Sequence, residues 1–238
     1  MTSPTEPDAE APAAAPVVAS GKASDRIVWV DCEMTGLSLQ TDALVEVACV
    51  VTDAELNELD EGVTVVIRPP DVPFAEMPDI VREMHTASGL IEEIPHGTTL
   101  EVAEALVLDY IKKHISEPRK AQLAGSSVYV DRGFLARDMP ILDAYLHYRL
   151  IDVSSLKELV RRWYPRVYFN SPPKTGNHRA LADARESIAE LRYYREAVMV
   201  AQPGPGTDAA RGFAAHHAVD HHVVTPPLGA ESTAADPA

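Results

Sequence analysis

Apolar and polar positions follow a readable order through residues 25–200 and lose all period on either side. Residues 27–32 form a β-branched run and residues 44–52 a longer one, so the pattern predicts two largely buried strands. Residues 53–57 read as a turn into a third strand that ends at Ile67, before Pro69 and Pro70. A short helix is expected over residues 78–86. A longer one is expected over 98–114, with Leu100, Ala103, Leu106, Val107, Tyr110 and Ile111 towards one side. Next come a strand over 121–125, helices over 127–137 and 140–148, and a strand over 150–153. Ser154 is expected to cap a helix reaching Trp163. The last helix spans 179–200, with Leu181, Ala184, Ile188, Leu191, Tyr194 and Val198 as its buried stripe. Three strands followed by alternating helices and strands predict an α/β fold, a mixed sheet with helices on its faces.

The flanks differ in kind. Residues 1–24 are rich in Ala, Pro and acids, and 201–238 are interrupted by Pro203, Pro205, Pro226 and Pro227. Both are expected to be disordered tails on one domain of residues 25–200. His216, His217, His221 and His222 could chelate a metal at helical spacing, but an unstructured tail loses ordering entropy first.

Composition narrows the class. Apolar residues make up 46% and charged residues 24%, ordinary for a globular protein. No run reaches the ~18 apolar residues of a membrane span. The first residues lack a basic leader and an apolar stretch, so a cytoplasmic protein without membrane attachment is expected. Cys32 and Cys49 lie inside apolar runs and are expected to be reduced and buried. The net charge of −15 argues against a general nucleic-acid binder. It is uneven, however: residues 1–62 carry 13 acids and 2 bases, residues 147–200 carry 10 bases and 6 acids. A phosphate-bearing ligand could approach the basic end, and a solvated helix face accounts for the asymmetry about as well.

Asp31 and Glu33 stand two apart on a strand, so both side chains project to one face. They lie where that strand ends at Gly36, the carboxyl edge at which open α/β sheets often bind ligands. A solvated strand end is the plainer account, yet Leu37 then sits on the loop tip with no core to bury it. Asp131 and Asp183 each fall near the start of a helix, where the dipole favours an acid whatever its role. His178 lies in a Gly/Pro-rich loop, and an imidazole near a metal-held carboxylate can act as a base near neutral pH.

Local context carries the set further. The segments Asp31-Cys32-Glu33-Met34-Thr35-Gly36-Leu37, His85-Thr86-Ala87-Ser88-Gly89-Leu90 and Asp131-Arg132-Gly133-Phe134-Leu135 lie in this order. They are followed by His147-Tyr148-Arg149, by residues 152–159 and by residues 178–187. In these motifs the chain resembles the oligoribonuclease family, of the DEDD superfamily of 3′→5′ exonucleases, in the subgroup with a histidine base. The resemblance spans residues 26–197 and implies an RNase H-like mixed five-stranded sheet flanked by helices. It implies that Asp31, Glu33, Asp131 and Asp183 hold two Mg²⁺ or Mn²⁺ ions and that His178 deprotonates the attacking water. Leu37 matches an apolar wedge against the bases, and His85 a contact to the substrate's 5′ phosphate. Ser127, Arg149, Ser154 and Ser155 match positions near substrate phosphates, and Tyr148 a tyrosine supplied across a homodimer interface. The implied substrates are RNAs of two to five nucleotides, with pGpG plausible for the family. Two positions depart from the pattern: Ile80 where an aromatic is expected, and Tyr129 where a polar residue is common.

Two other functions remain to be weighed. A proofreading or tRNA-trimming exonuclease would be expected to show a stronger basic track. A non-catalytic nucleic-acid-binding dimeric module would need one of the four carboxylates replaced.

Overall fold

Trp29 marks the side of the sheet on which the chemistry falls. It belongs to β1 (Ile27–Met34), which lies at the centre of a five-stranded sheet with β2 (Leu44–Thr52), β3 (Val63–Val66), β4 (Gln122–Gly125) and β5 (His147–Asp152). The structure is a computed structural model and describes residues 25–173 and 178–218. The sheet order is β3-β2-β1-β4-β5. β1, β2 and β3 are antiparallel neighbours, and β4 and β5 join β1 in parallel. The expected mixed α/β sheet is therefore what the chain forms.

Two layers of helix cover it. The helices of this unit are α1 (Asp71–Ala75), α2 (Asp79–Ala87), α3 (Leu90–Glu93), α4 (Leu100–His114), α5 (Tyr129–Asp138), α6 (Pro140–Tyr145), α7 (Val153–Trp163), α8 (Pro165–Tyr168) and α9 (Ala180–Val198), and α10 (Thr207–His216) belongs to a separate unit. Val28, Val30 and Cys32 pack with Val107, Phe134 and Leu142 of α4, α5 and α6. Trp29 packs on the other side with Val160, Ala184 and Ile188 of α7 and α9. Strand alternation puts Asp31 and Glu33 on the Trp29 side, under α9. Trp29 Nε1 donates to Thr52 Oγ1 at 3.0 Å, which satisfies a buried donor and fixes the ring.

The β2–β3 turn is tied to α4 through Asp60. Its carboxylate accepts from Tyr110 Oη at 2.6 Å, His114 Nε2 at 2.8 Å, Lys113 Nζ at 3.0 Å and Gly62 N at 3.0 Å. Partial burial works against the charge. The bonds from Tyr110, Lys113, Gly62 and His114 outweigh it and hold the carboxyl well below its usual range. Gly62 sits at φ 81°, and a Cβ there would lie 2.8 Å from the Cys49 carbonyl. Asp60→Ala is expected to cost about 2–3 kcal/mol in urea unfolding at pH 7, the range for bonds to a charged group. Because the folded pKa is depressed, this contribution exists above the unfolded carboxylate value and fades as pH falls towards the folded one. An unchanged urea midpoint would remove Asp60 from this role.

Several expected elements are corrected. The helix over 140–148 ends at Tyr145, and β5 begins at His147 rather than Leu150. Pairing with β4 and the bonds from Arg132 Nη1 to the His147 and Tyr148 carbonyls override the local pattern. Asp152, not Ser154, caps α7: its side chain accepts from Ser154 N at 2.9 Å. On α4 the buried face runs through Ala103, Glu104, Val107, Leu108 and Ile111, while Leu106 is exposed. The short helices α1, α3 and α8 had no sequence expectation.

Contacts divide the chain into Met1–Met199 and Val200–Ala238. In the second unit α10 forms where no element was expected, since the prolines at 203 and 205 precede it and its alanines favour helix. His216 and His217 meet edge to face at 4.7 Å. The expectations for residues 1–24, and for His221 and His222, lie outside the described residues. Among the described residues no helix is long and apolar enough to cross a membrane. Cys32 and Cys49 are free and buried, and burial pushes both thiols up.

Candidate metal centre and its surroundings

Glu33 is 7% exposed, yet it faces other carboxylates. Asp31 and Glu33 leave β1 on the α9 side, and Asp183 arrives from the first turn of α9. The three each offer an oxygen such that all lie within 4.8 Å of one another. Burial pushes Glu33 up to about 8, and the charges of Asp183, Glu46 and Asp131 add to it while Arg179 opposes them. Asp131 enters from α5. It is 6% exposed, accepts from Cys32 N at 2.9 Å, and is raised by burial to about 6 against those hydrogen bonds. So Asp31, Glu33 and Asp183 form one cluster, and Asp131 flanks it through the β1 backbone.

Such a donor set fits hard divalent cations. It offers oxygen ligands only, and its buried like charges need a counter-charge to be ionised together. Asp31, Glu33 and Asp183 would hold one, with Asp131 beside them.

The loop after β1 is shaped by Asp42. Its carboxylate accepts from Ser38 N at 2.8 Å and Thr35 Oγ1 at 3.3 Å, and Arg137 Nη2 donates to its carbonyl at 2.8 Å. A Cβ on Gly36 would lie 2.5 Å from Asp42 Oδ2, so any larger residue there would displace the carboxylate that shapes this turn. Leu37 is thereby held 76% exposed on the tip. Ile80, on α2, is also 76% exposed.

His178 precedes α9, exposed and at φ 46°, a left-handed conformation costly outside glycine. His85 differs from what the resemblance implies. It is fully buried, with Nε2 2.9 Å from the Met34 carbonyl and Nδ1 3.9 Å from Glu33 Oε2. Burial, and less so the nearby His178, lower its pKa. It supports the β1 end from beneath and offers no open face to a phosphate here.

Ser127 and Ser154 converge: Oγ to Oγ is 3.1 Å, and Asp152 Oδ1 accepts from both backbone N–H groups. Ser155 is exposed in the same first turn of α7. Tyr148 and Arg149 lie on the edge strand β5. Arg149 Nε donates to Tyr148 Oη at 3.0 Å, and the phenol ring is 72% exposed beside His147.

Glu46, Arg179 and Asp152 were missed from sequence. Glu46 did carry a signal, a lone charge inside a nine-residue buried strand. Asp152 could have been found as an N-cap residue ahead of an amphipathic helix.

An acidic cluster at the carboxyl edge of a mixed sheet, closed by an acid from α9, fits a metal-dependent nuclease. The exonuclease family profile matches residues 28–191. Oligoribonuclease from Streptomyces coelicolor is 68% identical over 196 residues, covering 82% of this chain and 98% of its own. The oligoribonuclease of Mycobacterium tuberculosis is 59% identical over 184 residues, covering 77% and 86%. A solved exonuclease I shares the fold at TM-score 0.58 and 14% identity, over 72% of this chain and 41% of that one. The chain belongs to the oligoribonuclease family, 3′→5′ exoribonucleases of the DEDD superfamily.

Proposed function

We propose that Asp31, Glu33, Asp131 and Asp183, with His178 as base, carry 3′→5′ hydrolysis of RNAs of two to five nucleotides to mononucleotides. The carboxylate cluster within 4.8 Å is the observation that carries this reading. Bound divalent ions, Mg²⁺ or Mn²⁺ and two per site, would neutralise the phosphodiester and favour both the attacking and leaving oxygens. His178 takes the proton of the attacking water. Leu37 presents its side chain to the terminal bases, an apolar contact that is indifferent to sequence. The paired hydroxyls of Ser127 and Ser154, with Ser155 and Arg149, supply donors for phosphate oxygens. Without an extended basic track, long RNA gains little from additional phosphates.

A time course on 5′-labelled RNAs, from dinucleotides to roughly twenty nucleotides, with and without divalent ions, tests the substrate class. Fast dinucleotide cleavage that stops in EDTA is expected. A preference for long strands would favour a trimming enzyme, and binding without cleavage a non-catalytic module. Residues 25–200 are proposed to suffice for turnover, in a cytoplasmic enzyme.

We further propose a homodimer in which Tyr148 serves the partner's site. Its exposure fits a residue awaiting a second surface. Tyr148→Ala is expected to lower kcat at least about tenfold. Mixing it with an Asp183→Ala protein should restore a substantial part, measured as dinucleotide turnover. Mixed dimers that stay inactive would end the cross-subunit role.

A further inference from the structure

Between the proposed base and α9, one arginine grips two carboxylates. Arg179 Nε and Nη2 reach Glu46 Oε1 at 3.1 and 2.7 Å, and Nη1 and Nη2 reach Glu93 Oε1 and Oε2 at 2.8 and 3.1 Å. Glu46 Oε2 accepts from Ala180 N at 2.9 Å and from Arg179 Nε at 3.4 Å. Glu46 has no exposure and sits directly across the β1–β2 ladder from Glu33. A buried ion pair is weak evidence for stability, because desolvating both charges costs about what their attraction returns. A well-packed apolar pair would hold β2 to α9 equally well. What it would not supply is a fixed location for two successive residues, 179 and 180.

Those residues stand between the two groups that the site demands. His178 immediately precedes them in a left-handed conformation that only its surroundings can maintain. Asp183 follows within the same turn, its N–H donating to the Arg179 carbonyl at 3.1 Å. Glu93 ends α3, the short helix that follows α2, so the same guanidinium also ties α3 to the start of α9.

We propose that Glu46 and Arg179 are positioning residues for the reaction: the grip of Arg179 on the buried Glu46 fixes the entry of the chain into α9 and so sets His178 and Asp183 against Glu33. This rests on the site assignment above. In the full-length protein, Arg179→Met and Glu46→Gln are expected to lower kcat on a dinucleotide at saturating Mg²⁺ by about thirtyfold or more, with KM within threefold. Hydrogen exchange in the metal-free protein should accelerate at least about tenfold over residues 178–186 and stay unchanged in the sheet. Glu93→Gln should lose only a few-fold, because the Glu46 grip persists. Arg179→Lys, which keeps charge without the fork, should recover part of the rate lost in Arg179→Met. Should Glu46→Gln fail to fold, the variants of the partly exposed Arg179 decide the question.

Wild-type kcat in Arg179→Met would overturn the proposal. So would a rate loss accompanied by equally faster exchange throughout the sheet, which marks general destabilisation. Asp183→Ala, assayed in parallel, separates the two levels: turnover there sinks the site assignment itself. An inactive Asp183→Ala beside unimpaired Arg179 variants sinks this proposal alone.

Discussion

Asp183→Ala is expected to reduce turnover of a dinucleotide at least about a thousandfold while the protein remains folded. Asp183 is one of three carboxylates that converge within 4.8 Å, and it is the one delivered by a different element from the other two. Removing it opens the cluster on the α9 side without touching the faces that pack. α9 is held by Ala184, Ile188 and Tyr194, all fully buried, whereas Asp183 is only half-buried. An acid in a first helical turn is worth about 0.3–1 kcal/mol through the dipole, and its loss is offset by relief of repulsion with Glu33. Circular dichroism and the melting temperature should therefore stay near wild type as the rate collapses. Appreciable cleavage by this variant would show that the cluster is not the reaction centre. Loss of fold together with rate would show that Asp183 is structural.

How much of this was legible beforehand depends on the range of the interaction concerned. β1, β2 and α9 carry long periodic patterns, and their buried faces follow from period two and period 3.6. Asp31 and Glu33 could thus be placed on one face from sequence alone, which the sheet bears out. His147 and Tyr148 could not be placed, because their strand conformation comes from β4 and from Arg132. The Ser154 expectation failed locally: two good capping residues stand two apart, and Asp152 takes the position. The Glu46–Arg179 pair joins residues 133 apart, and no local pattern reports such a contact. His85 was readable as a helix residue but not as a fully buried one, since its partner is a backbone carbonyl on β1.

Glu33→Gln is expected to stabilise the metal-free protein while destroying its activity. Burial, joined by the charges of Asp183, Glu46 and Asp131, disfavours ionisation of Glu33 and pushes its carboxyl up to about 8, far above an ordinary glutamate. The folded state therefore keeps a proton that the unfolded chain has already released. Stability is fully present below the unfolded value and is lost as pH rises through the folded one. At pH 7 the loss amounts to about 3 kcal/mol, or roughly 5–10 °C in melting temperature. A glutamine carries no charge to desolvate, so the variant melted in EDTA should lie above wild type at pH 7, with the gap narrowing strongly towards pH 5. Divalent ions act in the opposite direction on the native protein: at a hundred times the dissociation constant they add about 2.7 kcal/mol. Wild type should thus gain in Mg²⁺ what the variant gains by substitution, and the variant should gain little more. Melting curves across pH 5–8, with EDTA or Mg²⁺, resolve the four cases. A glutamine variant as pH-sensitive as wild type would mean that Glu33 is not the strained carboxylate. One that melts lower in EDTA would mean that the cluster is held together by the very charge that binding is proposed to neutralise.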